Sequence, residues 1–114
     1  MRAQGRLDRA LEFYLAGNGI AEKRAAAEPQ NLEAQRDVYA SHLFVGDIQL
    51  EMGKLASASQ SYEAGLDIAK YLATANPQNS EWQRDVSITN NKIGDVRVQQ
   101  GKLAAALANY QEGL

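Results

Sequence analysis

A chain of 114 residues without a single cysteine excludes disulfides, thiolate metal sites and cysteine nucleophiles. With no mark of an oxidising compartment, a cytoplasmic location is expected. Its 12 basic and 14 acidic residues, net charge −2, are scattered rather than clustered, which argues against a nucleic-acid partner. No apolar run approaches the roughly 18 residues that span a bilayer, and the opening "MRAQGRLDRALEF" has no apolar signal core, so no membrane partner is expected.

Taken in chain order, residues 1–28 read as a single helix. Gly17, Asn18 and Gly19 interrupt it, and Asn-Gly is ordinarily a turn signal. Yet Tyr14, Gly17, Ile20 and Ala21 keep a helical phase across the interruption, so a helix is expected there, with a kink as the open alternative. Pro29 closes that helix, and Asn31, with Glu33 in the first turn, has the chemistry of an N-cap. The next helix is predicted to run to Gly53, where a glycine in the left-handed conformation closes a C-terminus. A further helix starts near Leu55 and continues, rich in Ala and Leu, towards Pro77. Asn79 and Glu81 then repeat the cap, Gly101 the stop, and Leu103 the restart. No segment alternates as a strand does.

The punctuation recurs because the chain repeats itself. Comparing residues 28–66 with 76–114 gives 18 identities in 39 positions at an offset of 48, in blocks such as Gln35-Arg36-Asp37-Val38 with Gln83-Arg84-Asp85-Val86. At the same offset, Gly5, Leu7, Ala10, Tyr14, Gly17 and Ile20 match Gly53, Leu55, Ala58, Tyr62, Gly65 and Ile68. Residues 1–28 are thus the second helix of a partial unit, 29–76 a full unit and 77–114 a nearly full one, all within one domain. The expected fold is all-α, with about five helices as antiparallel hairpins stacked into an α-α superhelix. Gly46 and Gly94 sit mid-helix at a cost of about 1 kcal/mol each against Ala. Close helix approach against Ala58 and Ala106 is the expected compensation, with Tyr62 and Tyr110 filling the wider spaces.

The series Gly94, Gly101, Ala106, Tyr110, Gly113, repeated as Gly46, Gly53, Ala58, Tyr62, Gly65, resembles the tetratricopeptide repeat (TPR). The second half of the series fits Gly5, Ala10, Tyr14 and Gly17, so the resemblance covers essentially the whole chain. The usual period is about 34 residues. The longer unit here looks like the long-helix variant common in bacterial multidomain proteins. His42 and Asn90 replace large apolar residues of the family pattern, and Gln49 and Arg97 replace its second aromatic.

The resemblance implies a protein-interaction scaffold whose groove is lined by the first helix of each unit. That assigns it Ala40, Leu43, Asp47, Leu50 and Glu51, then Ile88, Asn91, Asp95, Val98 and Gln99. Such a lining suits a partner segment with aliphatic and basic side chains. Of the residues the family uses to clamp a C-terminal carboxylate, only Asn91 is compatible.

No catalytic, cofactor or metal site is expected. His42 is the only histidine and has no triad or zinc partner, and no GxGxxG or P-loop pattern follows a strand. Asp47 and Asp95 are expected to be solvated or salt-bridged, Tyr14, Tyr62 and Tyr110 to fill the core, and Trp82 to be either an inter-unit plug or an exposed anchor. The Arg36-Asp37 and Arg84-Asp85 pairs are expected to bond neighbouring helices. The chain opens on an unpartnered second helix and stops at Leu114, before another is complete. It is therefore expected to be a fragment of a larger protein or, as the rival reading, a homo-oligomer pairing through its terminal helices.

Overall fold

Two local devices, each used twice, cut the chain into helices. The side chains of Asn31 and Asn79 accept the backbone N–H of Ala34 and Trp82 at 3.1 and 3.0 Å, opening one helix in each unit. Gly53 and Gly101, at φ +77° and +79°, close those helices. There the N–H of Gly53 donates to Leu50 and that of Lys54 to Gln49, while Gly101 and Lys102 repeat the pair on Val98 and Arg97, a Schellman closure in both places.

The computed structural model describes residues 2–114, which form α1 (Arg2–Ala27), α2 (Leu32–Glu51), α3 (Leu55–Ala75), α4 (Ser80–Gln99) and α5 (Leu103–Glu112). No strand occurs among the described residues, so the all-α expectation holds. α1 runs unbroken through Gly17, Asn18 and Gly19, and Asn18 donates to the Ser41 hydroxyl of α2 at 2.6 Å. Each helix packs on the next in sequence. The short connections turn the chain back on itself, making packed neighbours antiparallel. The molecule measures 42 × 34 × 17 Å, a slab no more than two helices deep.

The main core gathers Ala58, Tyr62, Leu66, Ile93 and Val96 from α3 and α4, with Leu43, Leu50 and Leu55 packed against it. A smaller one joins Ala25, Ala34 and Val38, covered by Ile68. Trp82 is buried, which settles it as a plug rather than an exposed anchor.

The 48-residue offset extends to side-chain contacts that sequence comparison does not display. Gln35 donates to the Ala25 carbonyl at 3.4 Å and Gln83 to the Ala73 carbonyl at 2.9 Å, two bonds in the same register. The mid-helix glycines are matched too. A Cβ on Gly46 would lie 2.6 Å from the Tyr62 ring, and one on Gly94 2.6 Å from the Tyr110 ring. The tyrosine rings are the nearest neighbours of these glycines. A flat ring laid on bare backbone excludes more water than a methyl group, which is what offsets the glycine's weak helix propensity. Tyr14 departs from expectation, being only half-buried and stacked on Phe44 at 5.2 Å instead of sitting in the core.

Candidate interaction surface

One face of the slab is built by α2 and α4, two helices apart in sequence and joined by polar side chains. Arg36 reaches across to Asp85 with two bonds of 3.1 and 3.3 Å and to Glu81 at 3.1 Å. Its guanidinium also lies 5.7 Å from the centre of the Tyr39 ring. The Tyr39 hydroxyl, buried, shares a hydrogen with Thr89 at 3.1 Å and reaches the Asp85 carbonyl at 3.4 Å. Burial raises the Tyr39 phenol above its ordinary pKa, so it remains a neutral donor.

Half a helix further along, Lys92 of α4 donates to Asp47 of α2 at 3.0 Å, and the Tyr62 hydroxyl of α3 donates to the same carboxylate oxygen at 2.5 Å. Burial, reinforced by that carboxylate, pushes the Tyr62 phenol far above its usual range. The equivalent Tyr110 donates to Asp95 at 2.6 Å, and this hydrogen bond is the main reason its phenol is raised as well.

Between these two bridges lies an open cavity of about 300 Å³. Of the ten residues expected in a groove, it is lined by Ala40, Leu43, Asp47 and Ile88. Leu50 turns inward onto the core cluster. Asn91 lies against α5, its side-chain oxygen 2.5 Å from where a Cβ on Gly113 would stand. Asp95 is engaged by Tyr110, and Glu51, Val98 and Gln99 are exposed near the C-terminal ends of α2 and α4. Phe44, half exposed, joins the lining together with Arg36, Tyr39 and Asp85. The repeated Arg-Asp pair was the sequence signal for the last of these. The aspartates of its two copies act differently, since Asp85 is taken by Arg36 of the other unit while Asp37 takes Arg24 of α1 at 3.3 Å.

The opposite side holds a second cavity of about 450 Å³ between α3, α4 and α5, and its floor is polar. Arg97 donates to Asn109, which donates to Asn90 at 3.0 Å, and Arg97 also holds Glu63 at 2.8 Å. At the matching place in the other hairpin Ser61 donates to Gln49 at 2.6 Å. His42, matching Asn90, is half-buried 3.9 Å from Glu22 of α1; burial lowers its pKa and Glu22 only partly restores it.

Among the described residues no three His, Cys, Asp or Glu side chains are grouped to hold a metal ion. No helix among them is long and apolar enough to cross a membrane. Compared with protein-family models, curated proteins and solved structures, the chain matches none.

Proposed function

We propose that this chain is a non-catalytic protein-interaction scaffold of the tetratricopeptide type, its hairpins stacked as a solenoid and its α2–α4 face receiving a segment of a partner protein. The observation that carries this reading is the groove itself: its charged groups are paired internally and its free surface is apolar. Asp85 is taken by Arg36 and Asp47 by Lys92, while Phe44 is 51% and Ile88 40% exposed. The partner segment is therefore one that inserts aliphatic or aromatic side chains between Phe44 and Ile88. A basic side chain finds its carboxylate outside the cavity, at Glu51 or Asp95, which form no ion pair among the described residues.

Selection of displayed random peptides on the immobilised chain tests this. Enriched peptides should carry an apolar anchor and lose most of their affinity to Phe44→Glu and to Ile88→Glu. Peptides that bind both variants as well as the parent would dispose of the groove.

A second reading, self-association, is favoured by apolar side chains left on the outer helices. Phe13 and Ile20 of α1 are 73% and 71% exposed, and Leu103 and Leu107 of α5 66% and 57%. Light scattering across a concentration series separates the readings. A dimer broken by Leu107→Asp supports self-association, and a monomer at every concentration removes it.

A further inference from the structure

Neither the packing of α1 nor the proposed groove accounts for the run Gly17-Asn18-Gly19. At the 48-residue offset these residues match Gly65, Leu66 and Asp67 of α3. Gly65 must be small, since a Cβ there would meet Leu43 at 3.3 Å, and Leu66 is buried in the main core. Asn18 keeps the inward position but exchanges apolar packing for a polar bond, donating to the Ser41 hydroxyl of α2 at 2.6 Å. Gly19 has no such reason to be glycine. A Cβ there would meet nothing within 4 Å, its φ is not positive, and its counterpart Asp67 carries an exposed side chain on a helix packed from both sides. The openness of Gly19 therefore belongs to its position on the helix and not to the place of α1 at the head of the chain.

What glycine offers here is chemical. Asn18 alone among the asparagines of the chain is followed by glycine, and a residue without a Cβ leaves its backbone nitrogen unshielded and free to turn. We infer that Asn18–Gly19 is a modification site, at which the asparagine converts spontaneously to aspartate and isoaspartate when α1 opens locally. The Gly19 nitrogen, its proton taken by hydroxide, attacks the side-chain carbonyl carbon of Asn18 and closes a succinimide ring. The bond from that carbon to Nδ2 breaks, and the nitrogen leaves as ammonia with a proton from water. Water then opens the ring at either carbonyl, giving aspartate or an isoaspartate whose chain runs on through Cβ. Water is consumed and ammonia released, with no change of oxidation state.

The fold slows this reaction without blocking it. In an unbroken helix the Gly19 N–H is bonded to the carbonyl four residues before it, so ring closure waits for the helix to open. Glycine is the weakest helix former after proline and asparagine ranks low, so three such residues in succession mark where opening is easiest. The product does not fit back. The Ser41 hydroxyl already donates to the Val38 carbonyl at 2.8 Å, so a carboxylate at this place meets an acceptor, and an isoaspartate cuts the helical register between Tyr14 and Glu22.

The test ages the full chain in warm, mildly alkaline buffer and follows Asn18 by peptide-mapping mass spectrometry with an isoaspartate assay. A synthetic peptide spanning residues 12–25 sets the unfolded rate. Asn18 should convert in the chain at least about ten-fold more slowly than in the peptide, yet well ahead of Asn31, an N-cap followed by Leu32. Gly19→Ala, for which there is room, should slow chain and peptide alike by at least about ten-fold. Gly17→Ala should slow the chain alone, by strengthening the helix. Gly94→Leu, which weakens the packing of α5 on α4, should leave the rate at Asn18 unchanged. An Asn18 that stays intact while the peptide converts fully, a rate equal to that of the peptide or of Asn31, or indifference to Gly17→Ala overturns the inference. So does acceleration by Gly94→Leu in step with the stability lost, because conversion would then require global unfolding.

Discussion

Tyr62 and Tyr110 occupy the same position in two successive hairpins and make the same two contacts, a glycine beneath the ring and an aspartate on the hydroxyl. They differ in what lies beyond. Tyr62 is fully buried because α4 follows and brings Lys92 over its ring, whereas Tyr110 stays partly open to solvent. The glycine notch and the carboxylate therefore belong to the hairpin, and the burial belongs to the neighbouring unit. An interaction that is geometrically identical in both places should differ in energetic weight, because a packed interior does not yield and a half-open ring does.

The largest expected effect breaks the comparison at the glycines. Gly46→Leu places a side chain into the Tyr62 ring with no free volume to accept it, and should cost about 3 kcal/mol, at the top of the range for overpacking. Gly94→Leu meets Tyr110 at the same distance, but that ring can swing outward, so its loss should be clearly smaller. Gly17→Ala, on open α1, should have the opposite sign and stabilise by up to about 1 kcal/mol through helix propensity alone. Urea denaturation of the three variants checks the order. Equal losses at Gly46 and Gly94 would mean that the following helix adds no rigidity.

A smaller effect sharpens the comparison at the hydroxyls. Tyr62→Phe removes a buried donor from Asp47, which keeps Lys92, so a loss of about 1–2 kcal/mol is expected. Tyr110→Phe removes the equivalent bond where water can replace it, and the urea midpoint should not move measurably. If the two variants behaved alike, the contribution of burial to the first bond would be refuted.

How much of this could be read from the sequence follows the same division between local and distant. The caps at Asn31 and Asn79 and the stops at Gly53 and Gly101 were legible because each acts within a few residues of itself. The repeat also revealed which helices are equivalent. It did not reveal what faces what. Ala58 and Tyr62 are one turn apart on α3, and either could have lain over Gly46, since that choice rests on how α2 and α3 cross. Leu43 lines the groove while Leu50, two turns on along the same helix face, packs on the core cluster, and Asn91, the counterpart of Leu43, lies against α5, because the neighbouring helices decide what each position meets. The Arg36–Asp85 bridge joins residues 49 apart, and the sequence shows only that each position recurs. Phe44 entered no expectation, since its counterpart is Lys92 and nothing in the pattern marks a covering aromatic.

The smallest expected effect comes from a position where the hairpins differ chemically. His42 of α2 stands where α4 has Asn90, a residue that does not titrate. Burial against α1 and α3 holds the imidazole below its ordinary pKa, with Glu22 offsetting part of the shift. The folded chain therefore favours neutral His42, and as pH falls through about 6.5 the unfolded chain binds the proton first. Stability should accordingly decline as pH falls below about 6.5, then stop changing on this account once the folded imidazole is itself protonated. His42→Asn makes α2 match α4 and should remove that slope, while Glu22→Gln should steepen it by withdrawing the one nearby charge that favours the imidazolium. Comparing urea midpoints of the parent and both variants across this window isolates the histidine from carboxylates that titrate lower. A parent slope that survives His42→Asn would place the proton uptake elsewhere and remove His42 as the source of a pH difference between the hairpins.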